Sequence, residues 1–154
     1  MPDVLFYHLE RAGLDDVLPG LLERTRERGW KALVRVSSKE RAEALDNHLW
    51  TYKEDSFLAH ALERDQRANE QPILVTTKKG NPNTADVIFF ADGATPEAWS
   101  DPELSAYKRV VLLFDGRDPL ALDSAREQWK QARASGLGIT YWQQSDTGKW
   151  EKRA

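Results

Sequence analysis

The 154-residue chain contains no cysteine. That one absence excludes disulfides, thiolate zinc sites and cysteine nucleophiles together. No apolar run approaches the roughly 18 to 20 residues that a helix needs to cross a bilayer. Neither a basic segment nor a small-residue cleavage site precedes the strand-like stretch at 4–9, so no signal peptide or membrane association is expected and a cytoplasmic address is. Histidine is scarce: His8, His48 and His60 are the only three, and no HExxH or other close ligand spacing links them, so no metal site is expected. Positive charge is not in excess either. With 22 Lys/Arg against 25 Asp/Glu the net charge is −3, a poor balance for wrapping nucleic acid, because neutralising phosphates takes a basic surface. What is present is ordinary globular composition, 40% hydrophobic and 31% charged, with no linker and no internal repeat. A single domain spanning 1–154 is expected.

The charge is unevenly placed. Residues 126–154 hold six Lys/Arg against three Asp/Glu, a net +3, which leaves the first 125 residues at −6 within the total of −3. A small basic region on an acidic body suits an acidic peptide or a carboxylate better than a polynucleotide.

Short apolar runs at 4–9, 32–36, 73–77, 86–91 and 110–114 read as buried strands. Between the first two, Leu14, Val17, Leu18, Leu21 and Leu22 fall on one helical face. Starting that helix near Asp16 would leave Pro19 in its first turn, where backbone N–H groups have no intrahelical partner. Gly29 is its expected stop. Ser37-Ser38-Lys39-Glu40 has the pattern of a capping box and opens a second helix ending about Trp50. Residues 51–71 read as polar and irregular. Asp118-Pro119 opens a third helix, ending at Ser135 before Gly136. Segments 139–143 and 149–152 read as two closing strands around a turn at 145–148. Strands alternating with helices, several of them continuously apolar, predict an α/β fold with a largely parallel sheet covered on both faces.

Such a sheet invites a search for nucleotide chemistry. The first strand-to-helix turn, residues 8–16, has one glycine where the dinucleotide fingerprint needs three, and it carries Glu10, Asp15 and Asp16 where a pyrophosphate would sit. No GxxxxGK[ST] and no GxSxG occurs. His8, ending a strand, reads as a satisfied edge residue, and His48, late in a helix, as a cation favoured by the helix dipole. No cofactor is expected.

Two segments resist a purely structural reading. Trp50, Tyr52 and Phe57 stand in or beside a loop, where they either seal the sheet's edge or serve an interface. On the third helix, Arg126, Lys130 and Arg133 fall at i, i+4 and i+7 beside Trp129. They are either a solvated face complementing the helix dipole or a site for a carboxylate or acidic peptide, with Arg126 able to make a bidentate contact.

At these segments the sequence resembles the chi subunit family of bacterial DNA polymerase III. The resemblance is carried by Phe6-Tyr7-His8-Leu9, by Leu49-Trp50 with Ser56-Phe57-Leu58-Ala59-His60, by Gln71-Pro72-Ile73-Leu74, and by Phe114-Asp115-Gly116 with Ala125-Arg126-Glu127-Gln128-Trp129-Lys130, Gly136 and Tyr141-Trp142-Gln143-Gln144. It implies a single-domain Rossmann-like three-layer fold without nucleotide binding and a non-catalytic adaptor in DNA replication. Two partners are implied, with DNA engaged only through them. One is the acidic C-terminal tail of single-stranded DNA-binding protein, ending in aspartates and a phenylalanine. Arg126 and Lys130, extended by Arg133, would hold that tail, and Trp129 and Phe114 would line a pocket for its phenylalanine. The other is the psi subunit of the clamp loader, or a repair helicase, at Trp50, Phe57 and His60. The sequence departs from the family at Leu122, where some members carry a further lysine, and at Ala59, where a proline is usual before the histidine. Two rival classes stand beside this reading: a small nucleotide-dependent or hydrolytic enzyme, and a direct single-strand binder stacking bases on Trp129, Trp142 and Trp150.

Overall fold

The apolar runs become the strands of one sheet. The computed structural model, which describes residues 2–10, 13–51, 60–62, 68–147 and 149–153, contains β1 (Asp3–Leu9), α1 (Leu14–Glu27), β2 (Ala32–Arg35), α2 (Lys39–Thr51), β3 (His60–Leu62), β4 (Ile73–Thr76), β5 (Val87–Phe90), β6 (Arg109–Asp115), α3 (Pro119–Ala134), β7 (Ile139–Gln144) and β8 (Trp150–Lys152). Short 3-10 turns lie at Ala68–Glu70 and Pro102–Ala106. The strand order is β3-β4-β2-β5-β6-β1-β7-β8. Every neighbouring pair is parallel except β7 with β8.

Both faces of the sheet are covered, which is why its central strands are continuously apolar. Phe6, Leu33, Leu74, Ile88, Phe90, Leu112 and Phe114 join a core closed by Ala125 and Ala132 of α3 and by Trp99, Leu104 and Tyr107 from the β5–β6 connection. Val34, Val75, Val87, Phe89, Val111 and Leu113 join a second core under Leu18 and Leu22 of α1 and Leu45 and Leu49 of α2. The result is the three-layer α/β arrangement expected from the sequence. Asp118 caps α3, its carboxylate accepting from Leu120 N–H at 3.0 Å. Gly29 and Gly136, at φ of +77° and +83°, take the left-handed conformation that follows a helix end. Among the described residues no helix is long and apolar enough to cross a membrane.

Three local expectations are corrected. Helix α1 begins at Leu14, not near Asp16, because Gly13 is its N-cap and donates its N–H to the Asp16 carboxylate at 3.3 Å. Pro19 therefore lies in the second turn, where its missing N–H leaves the Asp15 carbonyl without an intrahelical partner. His48 on α2 fills that gap: its Nε2 lies 2.5 Å from the Asp15 oxygen, and a carbonyl only accepts, so Nε2 carries the proton. At α2 the N-cap is Ser38, whose hydroxyl accepts from Arg41 N–H at 3.3 Å. That places Arg41 rather than Glu40 at the third helical position, so no capping box forms, and the Ser37 hydroxyl donates instead to the Asp92 carbonyl. Within 51–71, read as irregular, His60–Leu62 forms β3, a parallel edge strand beside β4. Its three residues are too few for periodicity to reveal.

The Pro19 gap gives a double-mutant test. His48→Ala should cost about 1 kcal/mol of unfolding free energy by urea titration, the worth of one hydrogen bond. In a Pro19→Ala background, where residue 19 regains its N–H, the same change should cost less than about half as much. Equal costs in both backgrounds would disprove the coupling.

Candidate functional site

The topology places a crevice at the carboxyl ends of the strands. After β1 the chain crosses to one face as α1, and after β6 to the other as α3, so the adjacent ends of β1 and β6 form a switch point. A cleft of about 1150 Å³ opens there. Its lining includes Asp15, Asp16, Asp92, Asp115 and Asp118 against Arg41 and Arg117. Both arginines are engaged, Arg41 with Asp92 at 3.1 Å and Arg117 with Asp115 at 2.9 Å. The Arg117 side chain holds the Asp115 carboxyl below the usual carboxylate range. Phosphate entering this cleft would meet surplus negative charge.

The residues singled out on α3 lie on the sheet face that this helix covers, with Trp129 packed over the middle of β1 and β7. Phe114, the penultimate residue of β6, is 8% exposed and its ring centre is 4.9 Å from that of His8. Trp129 is half-buried on α3 and meets Phe6 and Tyr141 edge-on at 5.6 and 5.4 Å. Tyr141 also meets Phe114 at 6.1 Å, so it joins the two aromatics expected to share a pocket. Leu122, the position of the departure, is half-buried against the core rather than presented as a charge.

His8 and Tyr141 join the same aromatic cluster, although neither was expected there from the sequence. His8 is not an edge residue: β1 is flanked by β6 and β7, and its side chain is buried. Its Nδ1 lies 2.7 Å from the Tyr141 hydroxyl. Burial pushes the Tyr141 hydroxyl up to about 12, so it stays protonated at neutral pH. Nε2 is 3.0 Å from Glu10 Oε1, though out of hydrogen-bond alignment. Gln143 donates to the same Glu10 oxygen at 2.9 Å. Burial holds His8 below its ordinary value, Glu10 opposes this, and the nearby Arg126 charge adds to the lowering. Gly116 makes room for the ring: a Cβ there would lie 1.8 Å from His8 Nε2. Phe6, Tyr7, His8, Gly116 and Tyr141 all stand in the stretches that carry the family resemblance. Their convergence depends on strand register, which no spacing along one strand reveals.

The cations of α3 point outward. Arg126 is 69% exposed and, among the described residues, holds only a long contact, 3.7 Å, to Asp123. Among the described residues Lys130 makes no ion pair, and the Arg133 guanidinium lies 5.9 Å from the Trp129 ring centre. Exposed Leu120, at 80%, adds apolar surface at the start of the helix. Ring surface beside exposed guanidiniums suits an anionic ligand that carries an apolar group.

The second predicted cluster is only partly placed. Trp50 lies in the last turn of α2 and His60 opens β3, while Phe57 and Ala59 fall outside the described residues. β3 is five strands from β1, about 24 Å at ordinary strand spacing, so the two clusters sit well apart.

With this geometry in hand, comparison with known proteins is informative. A family model for DNA polymerase III chi subunit, HolC, matches residues 1–140. A curated relative from Rickettsia prowazekii (strain Madrid E), "Probable DNA polymerase III subunit chi", is 27% identical over 117 residues, covering 75% of this chain and 71% of that protein.

Two outcomes follow from the His8 environment. Gly116→Ala should destabilise by about 1 to 3 kcal/mol, the usual cost of overpacking, and His8→Ala should recover much of it. A double variant as unstable as Gly116→Ala alone would place the strain elsewhere. A histidine held low when folded binds its proton more readily when unfolded. Its contribution is therefore complete above the ordinary value of 6.5 and is lost as pH falls through 6.5 toward the lower folded value. Thermal melts from roughly pH 7 to 5 should show a fall in midpoint that is smaller in His8→Gln. Parallel pH profiles for the two proteins would refute this.

Proposed function

The chain belongs to the DNA polymerase III chi subunit family, and from that premise we propose that it is a cytoplasmic, non-catalytic adaptor with two binding arms. One arm holds the acidic C-terminal tail of single-stranded DNA-binding protein. The other, at Trp50, Phe57 and His60, docks psi or a helicase. Membership of the family makes this an accessory subunit of the polymerase complex.

The observation that carries the tail reading is the column Arg126, Lys130 and Arg133 on an exposed helix face next to half-buried Trp129, in a chain of net charge −3. An aspartate-rich tail needs cations, and a terminal carboxylate suits the two-pronged geometry of a guanidinium. A terminal phenylalanine needs ring surface, which Phe114, Tyr141 and Trp129 supply. The helix dipole alone would also favour cations near the α3 C-terminus, but its influence fades within a turn, and Arg126 stands two turns away. Against an enzymatic reading stands the strand-end cleft, whose acids disfavour phosphate.

Arg126→Ala should weaken binding of a synthetic tail peptide at least about fivefold, roughly 1 kcal/mol, with an unchanged melting midpoint. Raising the salt should weaken the unmodified pair as well, because the cations are exposed. Identical isotherms for the two proteins would remove Arg126 from the site.

A further inference from the structure

A second basic surface lies on the other face of the molecule, at the C-terminal end of α1 and the start of β6. Three cations surround one indole: the Arg28 guanidinium is 5.1 Å from the Trp30 ring centre, the Lys108 ammonium 5.3 Å and the Arg109 guanidinium 5.3 Å. Arg24 belongs to the same group, since Arg109, Arg24 and Arg28 all act on the Tyr7 hydroxyl. Helix-dipole stabilisation accounts for Arg24 and Arg28 but not for Lys108 and Arg109, which come from another element.

Like charges gathered this closely repel, and local acids do little to offset it. Asp86 is 3.6 Å from the Lys108 ammonium, and its carboxylate already accepts from Lys31 N–H at 2.9 Å. Asp3 stands opposite Arg109 in register, but among the described residues it forms no ion pair with it, and Arg24, Arg28 and Arg109 form none with any acid. The cluster is therefore poised for an external anion with several charges.

Aromatic surface adjoins it. Tyr7, Trp142 and Trp150 share one face of the sheet, since Tyr7 pairs with Trp142 and Gln144 with Trp150, and Tyr7 meets Trp150 edge-on at 5.0 Å. All three rings are half-buried. Trp129 packs on the opposite face against Phe6, so Trp129, Trp142 and Trp150 do not form one stacking platform. The aromatic group that does form lies on the same sheet face as the arginines, whose charges reach the Tyr7 hydroxyl.

We propose that this surface, Arg24, Arg28, Lys108 and Arg109 with Tyr7 and Trp150, binds single-stranded DNA directly, phosphates to the cations and bases to the rings. Guanidiniums and rings exposed along one face are the pattern of single-strand grooves, whereas an acidic peptide has no use for the rings as stacking partners. The choice of single-stranded DNA among polyanions rests on the tail reading above, because a chain held by single-stranded DNA-binding protein works next to that strand. The surface lies across the sheet from the α3 cations, so both could be occupied at once. Contact through a few exposed cations is weak and yields readily to salt.

Fluorescence anisotropy with labelled oligothymidylate of about 16 nucleotides tests it. The purified chain should bind at about 50 mM salt, with the logarithm of affinity falling by roughly 2 per logarithm of salt, as for three phosphates on a single strand. Arg28→Ala with Arg109→Ala should weaken binding at least about tenfold and flatten that slope. Arg24→Gln with Lys108→Gln, both exposed, should do the same without disturbing the strand start. Arg126→Ala should leave oligonucleotide binding intact while weakening the tail peptide, so failure of either site shows separately. Absence of binding at low salt, or affinity unchanged in both double variants, would overturn the proposal. Displacement of the oligonucleotide by an oligoglutamate of equal charge at equal concentration would also overturn it, in favour of an acidic-peptide surface.

Discussion

The parallel pairing of β1 with β6 governs the rest of the structure. Seven consecutive residues are in register, from Asp3 beside Arg109 to Leu9 beside Asp115. The turn after β6 is pinned to β1 as well, Gly116 N–H donating to the Leu9 carbonyl at 2.7 Å. This pairing sets His8 beside Phe114 and brings the Gly116 backbone against its ring. Because β7 joins β1 on the other side, with Phe6 opposite Tyr141, the aromatic wall and the His8 bond to Tyr141 follow from the same register. A slip of one residue would send Phe6 and His8 to the wrong face and dissolve the site along with the core. Stability and the geometry of the candidate site thus share one constraint here.

Two exceptions to ordinary backbone and packing rules each involve a histidine. Pro19 interrupts the hydrogen bonds of α1, and His48 reaches across from α2 to take the carbonyl left over. Buried His8 needs space that only a residue without Cβ leaves, and Gly116 provides it. In both cases two segments distant in sequence are tied by chemistry that neither segment displays alone. They explain why a chain with few histidines uses two of them structurally. The dipole role expected of His48 is accordingly secondary to its bond with Asp15.

Much of the fold was legible because its signals are local. Continuous apolar runs mark strands buried on both faces, and Asp118-Pro119 and Gly136 bound α3 as capping chemistry requires. The column Arg126, Lys130 and Arg133 was legible for the same reason, since helical spacing is local. What escaped depended on partners elsewhere in the chain. Helix α1 starts early because Gly13 can cap it, and it survives Pro19 because of a residue on α2. Ser37 looked like part of a capping box but is occupied by the Asp92 carbonyl. The roles of His8 and Tyr141, and the meeting of Trp30 with Lys108 and Arg109, required the strand order. Trp30 alone, after an arginine-rich helix end, carries no sign that another element will surround it with charge.

The distribution of charge follows from this topology. An α/β sheet ordinarily receives anions at the carboxyl ends of its strands, where helix N-termini supply backbone donors. Here that end carries five aspartates in its lining, so the position is closed to phosphate by charge. The cations stand instead on α3 and on the α1–β6 surface, on opposite faces, and both sets are largely exposed. On the proposed reading, anion recognition rests on flexible side chains on open surfaces rather than on fixed backbone amides in a cleft. Attraction through exposed charges is weaker and more readily screened than attraction inside a cleft, so contacts of this kind form and release quickly. An enzyme gains nothing from such a site, because transition-state stabilisation needs donors held still in a dry pocket. The adaptor proposed above, which must hold a partner and release it, would gain the exchange it needs, and on that reading the acidic cleft and the basic faces are two consequences of one design.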